Sequence, residues 1–275
     1  MPISARANSV FQWLKNASGA VCTIIFPSGC RLCDQLLTDA TRLPICELCL
    51  SSFPTSLPGS CDICGLPATF DPEFPQAISY CRDCQQRRFA FQLARSYGLY
   101  EGPLVRAILL LKYERIEPMG TWFAERLTEV VRKEQERMEA DVVVPVPLHR
   151  QRARERGFNQ VDVFGRPLAG RLHLPYRPVL LMRSRPRPEK HLLRHDERWE
   201  AVRGAFAMRA GGRVDNLRIL LLDDVMTTGA TLDACSRALR EAGAKSVLGL
   251  TIARAGQSAG FSRFHGKPKD ARDER

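Results

Sequence analysis

Four C-x-x-C pairs within the first 84 positions constrain folding more than any other feature: Cys30/Cys33, Cys46/Cys49, Cys61/Cys64 and Cys81/Cys84. Two intervening residues let both thiolates of a pair reach one tetrahedral ion at about 2.3 Å. Two pairs then complete a four-thiolate shell with no position left for a substrate. Twelve residues separate the first two pairs and 16 the last two. The second gap is that of a zinc ribbon, and the first is short for one. The spacing predicts two structural Zn2+ ions. Sequential pairing gives one ion on Cys30, Cys33, Cys46 and Cys49 and another on Cys61, Cys64, Cys81 and Cys84, while an interleaved pairing fits the same spacings. Disulfides are the weaker reading because no cleavable secretion signal is evident from Val10 to Pro27, and a redox site needs only one such pair. Cys22 and Cys235 sit in apolar or helical contexts and read as small buried hydrophobes.

A metal-organised segment accounts for the texture of the chain up to about Arg88, which is rich in Pro, Cys and Ser and poor in helical or strand periodicity. From Ala94 strand and helix signals alternate. Leu93 to Tyr100 reads as a strand, followed by a helix with Leu104, Ile108 and Leu111 on one face and a second helix from about Glu117 to Glu139. Asp141 to Val146 is a buried-type strand, then an Arg-rich loop and a helix from about Gln160 to Leu172. Val179 to Met182 and Leu217 to Leu222 read as further strands. A helix to about Ala242 closed by Gly243 and a last strand, Ser246 to Ala253, complete the pattern. Such alternation predicts a parallel sheet with helices on both faces and ligands at the carboxyl ends of its strands. No apolar run approaches the 18 to 20 residues of a membrane span, so a cytoplasmic protein without a membrane span is expected. The chain divides into an amphipathic N-terminal segment (1–29), a cysteine module (30–90), an α/β domain (91–253) and a polar tail (254–275) expected to be disordered.

Charge is uneven. From Val146 to Arg213 there are 16 Lys or Arg against 6 acids, whereas 25 basic and 24 acidic residues nearly cancel elsewhere. An arginine-dense quarter in an otherwise balanced chain predicts a surface that meets phosphates. The most informative string is Ile219-Leu-Leu-Leu-Asp-Asp-Val-Met-Thr-Thr-Gly-Ala-Thr231. A buried strand delivers two acids to its carboxyl end, and a hydroxyl-rich loop opens directly onto a helix. Loop N–H groups, Thr hydroxyls and the helix dipole suit a phosphate monoester, with Gly229 permitting close backbone approach. Adjacent carboxylates there make sense as acceptors for sugar hydroxyls or as neighbours of a Mg2+ shared with the ligand.

That string resembles the phosphoribosyl-pyrophosphate (PRPP) motif of type I phosphoribosyltransferases. The chain as a whole resembles the ComF family, in which a double zinc ribbon precedes such a domain. The four cysteine pairs, Tyr100-Glu-Gly-Pro-Leu104 with Leu111-Lys-Tyr113, Val144-Pro-Val-Pro-Leu-His149 and Arg156-Gly-Phe-Asn-Gln160 all carry the likeness. It implies a type I phosphoribosyltransferase-like parallel sheet flanked by helices, with Asp223 and Asp224 on the ribose hydroxyls as the catalytic pair. Thr227, Thr228, Gly229, Ala230 and Thr231 would cradle the 5'-phosphate. Pro145, Val146 and Pro147, in the turn running to Leu148, resemble the pyrophosphate loop. Arg150 to Gln160 resembles the flexible loop, in which Arg150 and Arg156 would offset pyrophosphate charge alongside Mg2+. His149 reads as structural. The chain departs from the family pattern at Lys190 and Ala201, where amide side chains are expected, which puts recognition of any base or acceptor in doubt. Two functions follow. One is PRPP or nucleotide-like ligand binding, with phosphoribosyl transfer to an acceptor the sequence does not name, in a competence and DNA-uptake context. The other is a non-catalytic adaptor for single-stranded DNA or a competence helicase-type partner.

Overall fold

A computed structural model of the chain describes residues 29–37, 43–55, 60–67, 80–86, 89–185 and 195–256. The amphipathic segment expected before the cysteines, Cys22, Lys190 and nearly all of the polar tail lie outside the described residues.

Four strands, β1 (Leu93–Leu99), β2 (Val142–Pro145), β5 (Arg218–Met226) and β6 (Ser246–Arg254), form one sheet in the order β1-β6-β5-β2, every pair parallel. Their apolar side chains alternate between two cores, as the period of a strand requires. Val143, Leu220, Leu222, Leu248 and Leu250 face one core. Val142, Val144, Ile219, Leu221 and Val247 face the other. The first core is closed by α3 (Gly102–Glu114), α4 (Glu117–Lys133) and α6 (Gln160–Leu172), the second by α8 (Ala230–Glu241). Helix α4 ends at Lys133, short of the Glu139 expected from periodicity, and its capping residue Glu134 is bound by Arg95. Pro167, inside α6, has no N–H for the carbonyl of Val163. Gly120 of α4 packs against that same carbonyl, and a side chain at position 120 would collide with it.

The segment expected as a strand at Val179–Met182 is instead β3 (Leu181–Arg183), paired antiparallel with β4 (Phe206–Met208) outside the main sheet. Between them lies α7 (His195–Glu200). The Arg-rich stretch expected as a loop is helical: α5 (Arg150–Arg156) is made of good helix formers, its first N–H groups are met by His149, whose Nδ1 accepts from Gln151 N, and it stops at Gly157 in the left-handed region (φ 72°).

The two cysteine groups pack on opposite faces. Cys30, Leu32, Ile45 and Phe53, with short helix α1 (Glu47–Ser51), join the α3/α4/α6 core. Cys61, Cys64, Leu66 and Cys84, with short helix α2 (Arg82–Gln86), join the α8 core. The edge of β1 is where both attach: Leu99 N donates to Pro54 O (2.7 Å), and Ala94 N to Ile63 O (2.7 Å). Gly98 lets Pro54 approach, since a Cβ there would strike its carbonyl.

Candidate functional site

The cysteines resolve into two tetrads, Cys30/Cys33/Cys46/Cys49 and Cys61/Cys64/Cys81/Cys84, in each of which all sulfurs lie within 4.8 Å of one another. Pairing is therefore sequential. Sulfur separations of 3.9 Å (Cys30–Cys49), 3.7 Å (Cys33–Cys46) and 3.6 Å (Cys64–Cys81) match the edge of about 3.8 Å that a tetrahedron of Zn–S bonds near 2.3 Å demands. Backbone N–H groups of Leu32 (3.4 Å) and Cys46 (3.3 Å) point at Cys30 Sγ. Burial opposes ionisation of that thiol, but donors from Cys46, Leu32 and Cys33 outweigh it and bring it down to about 6. These donor sets fit structural zinc, and both are closed to substrate. Cys235, inside α8, is fully buried, and burial pushes its thiol well above the ordinary value.

At the carboxyl end of the sheet a cleft gathers residues from five regions of the chain. The strand run continues through Asp223 and Asp224 to Met226, with Asp223 paired to Thr251 and Val225 to Ala253, so both acids sit at the mouth of the sheet. Asp224 is 7% exposed, and its Oδ2 accepts from Gln160 Nε2 (2.6 Å) while pairing with Lys112 Nζ (3.2 Å). Gln160 in turn accepts from Arg156 Nη1 (2.9 Å), giving a relay from α5 through α6 to β5. Asp223 Oδ1 accepts from the N–H of Asp224 (2.8 Å). The loop after β5 turns on Gly229 (φ 80°), the N-cap of α8, and Thr228 Oγ1 accepts from Ala230 N (3.3 Å). The amino end of the 12-residue α8 thus faces the same cleft as the two acids.

Of the residues singled out by sequence, Asp223, Asp224, Thr227, Gly229, Thr231, Val146, Pro147 and Arg156 line this cleft. Thr228, in the loop, and Ala230, the first residue of α8, are buried and do not line it, and Pro145 is buried at the end of β2. Arg150 is not among the lining residues; it borders a neighbouring cleft with Gln151, Arg154 and Met182. His149 lines both clefts. Ala201 is placed in the turn after α7, away from the lining.

Sequence reasoning gave no individual role to Tyr100, Lys112 and Gln160 and placed Arg152 and Arg183 only within an arginine-rich stretch expected to meet phosphates; all five line the cleft. Lys112 had a signal: it falls on the face of α3 that buries Leu104, Ile108 and Leu111, where a lysine is out of place unless paired. Arg183 had only its place in the arginine-rich stretch, because tertiary pairing alone carries β3 to the cleft. Its side chain is buried, its Nη2 meets no hydrogen-bond partner among the described residues, and burial pushes its guanidinium below the ordinary value. Four cations, Lys112, Arg152, Arg156 and Arg183, thus converge with two carboxylates. The chemistry of such a residue set suits a ligand carrying several negative charges at one end and hydroxyls at the other.

No helix among the described residues is long and apolar enough to cross a membrane. The sequence model of the phosphoribosyl transferase domain matches residues 166–269. A protein of Salmonella typhimurium called DNA utilization protein YhgH is 30% identical over 224 residues, covering 80% of this chain and 94% of that protein. Competence protein ComFC of Bacillus subtilis is 26% identical over 246 residues, covering 82% of this chain and 94% of that one. Among solved structures, a glutamine PRPP amidotransferase from B. subtilis superposes with a TM-score of 0.33 at 23% identity, over 49% of this chain and 26% of that one.

Proposed function

The chain belongs to the ComF family, and from that premise we propose that it binds PRPP or a closely related ribose 5-phosphate ligand at the carboxyl edge of its sheet. The observation that carries this reading is the convergence of Asp223, Asp224, the loop at Thr227–Thr231 and the cations Lys112, Arg152, Arg156 and Arg183 on one cleft. A 5'-phosphate suits the loop and the amino end of α8, where N–H groups and the helix dipole favour an anion. Asp224, already held by Lys112 and Gln160, is an oriented acceptor for a ribose hydroxyl, with Asp223 beside it. A pyrophosphate would be met by the guanidinium groups of Arg152, Arg156 and Arg183, and Mg2+ would enter with it, adding charge neutralisation. If an acceptor is present, departure of pyrophosphate from the anomeric carbon requires mainly positioning and stabilisation of the leaving group, and this residue set is suited to both.

Calorimetric titration of the zinc-loaded protein with PRPP and Mg2+ tests the reading, beside the double variant Asp223→Asn/Asp224→Asn. Saturable binding by the parent and its loss in the variant support a phosphoribosyl site. No heat and no displacement by the parent would remove it.

A second reading rests on the outer face of α5. Arg150 and Arg154 are exposed there, beside a second cleft bordered by Ser184. This face suits the backbone of single-stranded DNA, with affinity falling steeply as salt rises. The Asp223→Asn/Asp224→Asn variant should leave such binding intact.

A further inference from the structure

Arg254 closes β6, although its place after the last predicted strand put it in the polar tail. It is 3% exposed, directly opposite Met226 in the β5–β6 register. Its Nη1 donates to the carbonyls of Met226 (3.1 Å), Thr227 and Ala255 (3.3 Å), so one guanidinium grips the backbone where the candidate phosphate loop begins. Its Nη2 reaches Cys64 Sγ at 3.7 Å, across 190 positions of sequence. Among the described residues no carboxylate pairs with Arg254. A buried guanidinium without a compensating anion is strongly disfavoured. Four thiolates around a zinc ion would make a net dianion, and Cys64 Sγ of that cluster is the sulfur that Arg254 meets. A second tie runs beside the first. Just after Cys84, Ala90 N donates to Asp233 Oδ1 of α8 (2.7 Å), and the stacked pair Phe89 and Phe91 (4.6 Å) lies against Gly229.

We propose that the second cysteine cluster is coupled to the phosphate loop through Arg254, a positioning residue, so that metal loading of Cys61/Cys64/Cys81/Cys84 sets the loop's readiness to bind a phosphate. The functional half of this statement rests on the phosphoribosyl reading above; the mechanical half does not. With metal bound, Cys64 Sγ holds the guanidinium, which in turn holds the carbonyls of Met226 and Thr227 at the start of the loop. With metal lost nothing gathers the four sulfurs, Cys64 Sγ is no longer fixed against Arg254 Nη2, and the loop loses its anchor. Coupling between two binding sites is reciprocal: if metal raises ligand affinity by some factor, ligand raises metal affinity by the same factor. The first cluster, on the opposite face of the sheet, is the internal control.

The experiment follows zinc release from the full chain to a chromophoric chelator, with and without PRPP and Mg2+. Variants Cys81→Ser and Cys33→Ser assign the two kinetic phases. Ligand is expected to slow release from the second cluster by about ten-fold, within the usual range of site–site coupling, and to leave the first unchanged. Arg254→Lys keeps a cation but cannot span sulfur and three carbonyls, and it should abolish the slowing and weaken PRPP binding about ten-fold. PRPP binding that leaves release from the second cluster unaltered overturns the proposal, as does an Arg254→Lys protein that keeps both effects. Should the parent not bind PRPP, the phosphoribosyl reading fails while the coupling is decided by hydrogen exchange of the amides of 227–231. Exchange about ten-fold faster in Cys81→Ser but not in Cys33→Ser supports it, and equal exchange in the two variants overturns it.

Discussion

Replacing Lys112 by Met tests whether the buried pair with Asp224 organises the cleft. Both side chains are 10% exposed and the charges lie 3.2 Å apart. At an effective dielectric of about 20 their attraction is about 5 kcal/mol, from which desolvation of both ions must be subtracted. Removing one partner of such a pair costs about 3 to 5 kcal/mol, because the other is left buried and charged. Gln160 still donates to Asp224 at 2.6 Å, which places the loss near the lower end, about 3 kcal/mol. For a protein of this size that is a fall in Tm of about 6 to 12 °C. The companion Asp224→Asn should cost a similar amount by stranding the ammonium, whereas Lys112→Met/Asp224→Asn removes both charges and keeps the amide contact. Chemical denaturation of all four proteins gives the coupling directly. A double variant about as stable as either single one, with a coupling of about 2 kcal/mol or more, bears out the reasoning; additivity within about 0.5 kcal/mol refutes it.

Arg183→Gln should weaken PRPP binding by about ten- to a hundred-fold, the worth of a charge-assisted contact, while stability is unchanged or higher, since a buried cation is removed; a stability loss with affinity intact would show Arg183 to be a packing residue. Gly98→Ala forces a methyl into the Pro54 carbonyl and should cost about 1 to 3 kcal/mol by pushing the first cysteine module off β1, read as a lower Tm and faster proteolysis around position 54. The Arg218 guanidinium hydrogen-bonded to Asp141 holds its carboxyl below the ordinary 3.8. This pair therefore contributes stability that is present above that value and is lost as pH falls toward the lowered one. Arg218→Gln should flatten the acid limb of a stability–pH curve below about pH 4 and leave its shape near neutrality alone, and an unchanged acid limb would sink the assignment.

Local sequence determined what depends on short-range geometry. A C-x-x-C knuckle can bring two sulfurs to one ion whatever surrounds it, so the cysteines declared themselves as candidate metal ligands. The apolar runs Val142–Val144 and Ile219–Leu222 are too uniformly buried to be anything but strands covered on both faces, and the string from Asp223 to Thr231 sets strand, acid pair, hydroxyl loop and helix start in consecutive positions. Boundaries were less legible: β5 runs on through both aspartates because β6 pairs with Asp223, Val225 and Met226 there, and Arg150–Arg156 winds into a helix because its two ends are capped. Tertiary structure alone decided which cysteine pairs come together, since both pairings satisfy the spacing and only the docking of each module on its own face of the sheet separates them. It also decided which cations reach the acids. Lys112 and Arg183 come from a helix and from β3, distant in sequence and joined only by the fold, just as Arg254, at the end of the last strand, meets Cys64. A charge can be read from a sequence, but the partner that makes its burial tolerable is a property of the folded chain.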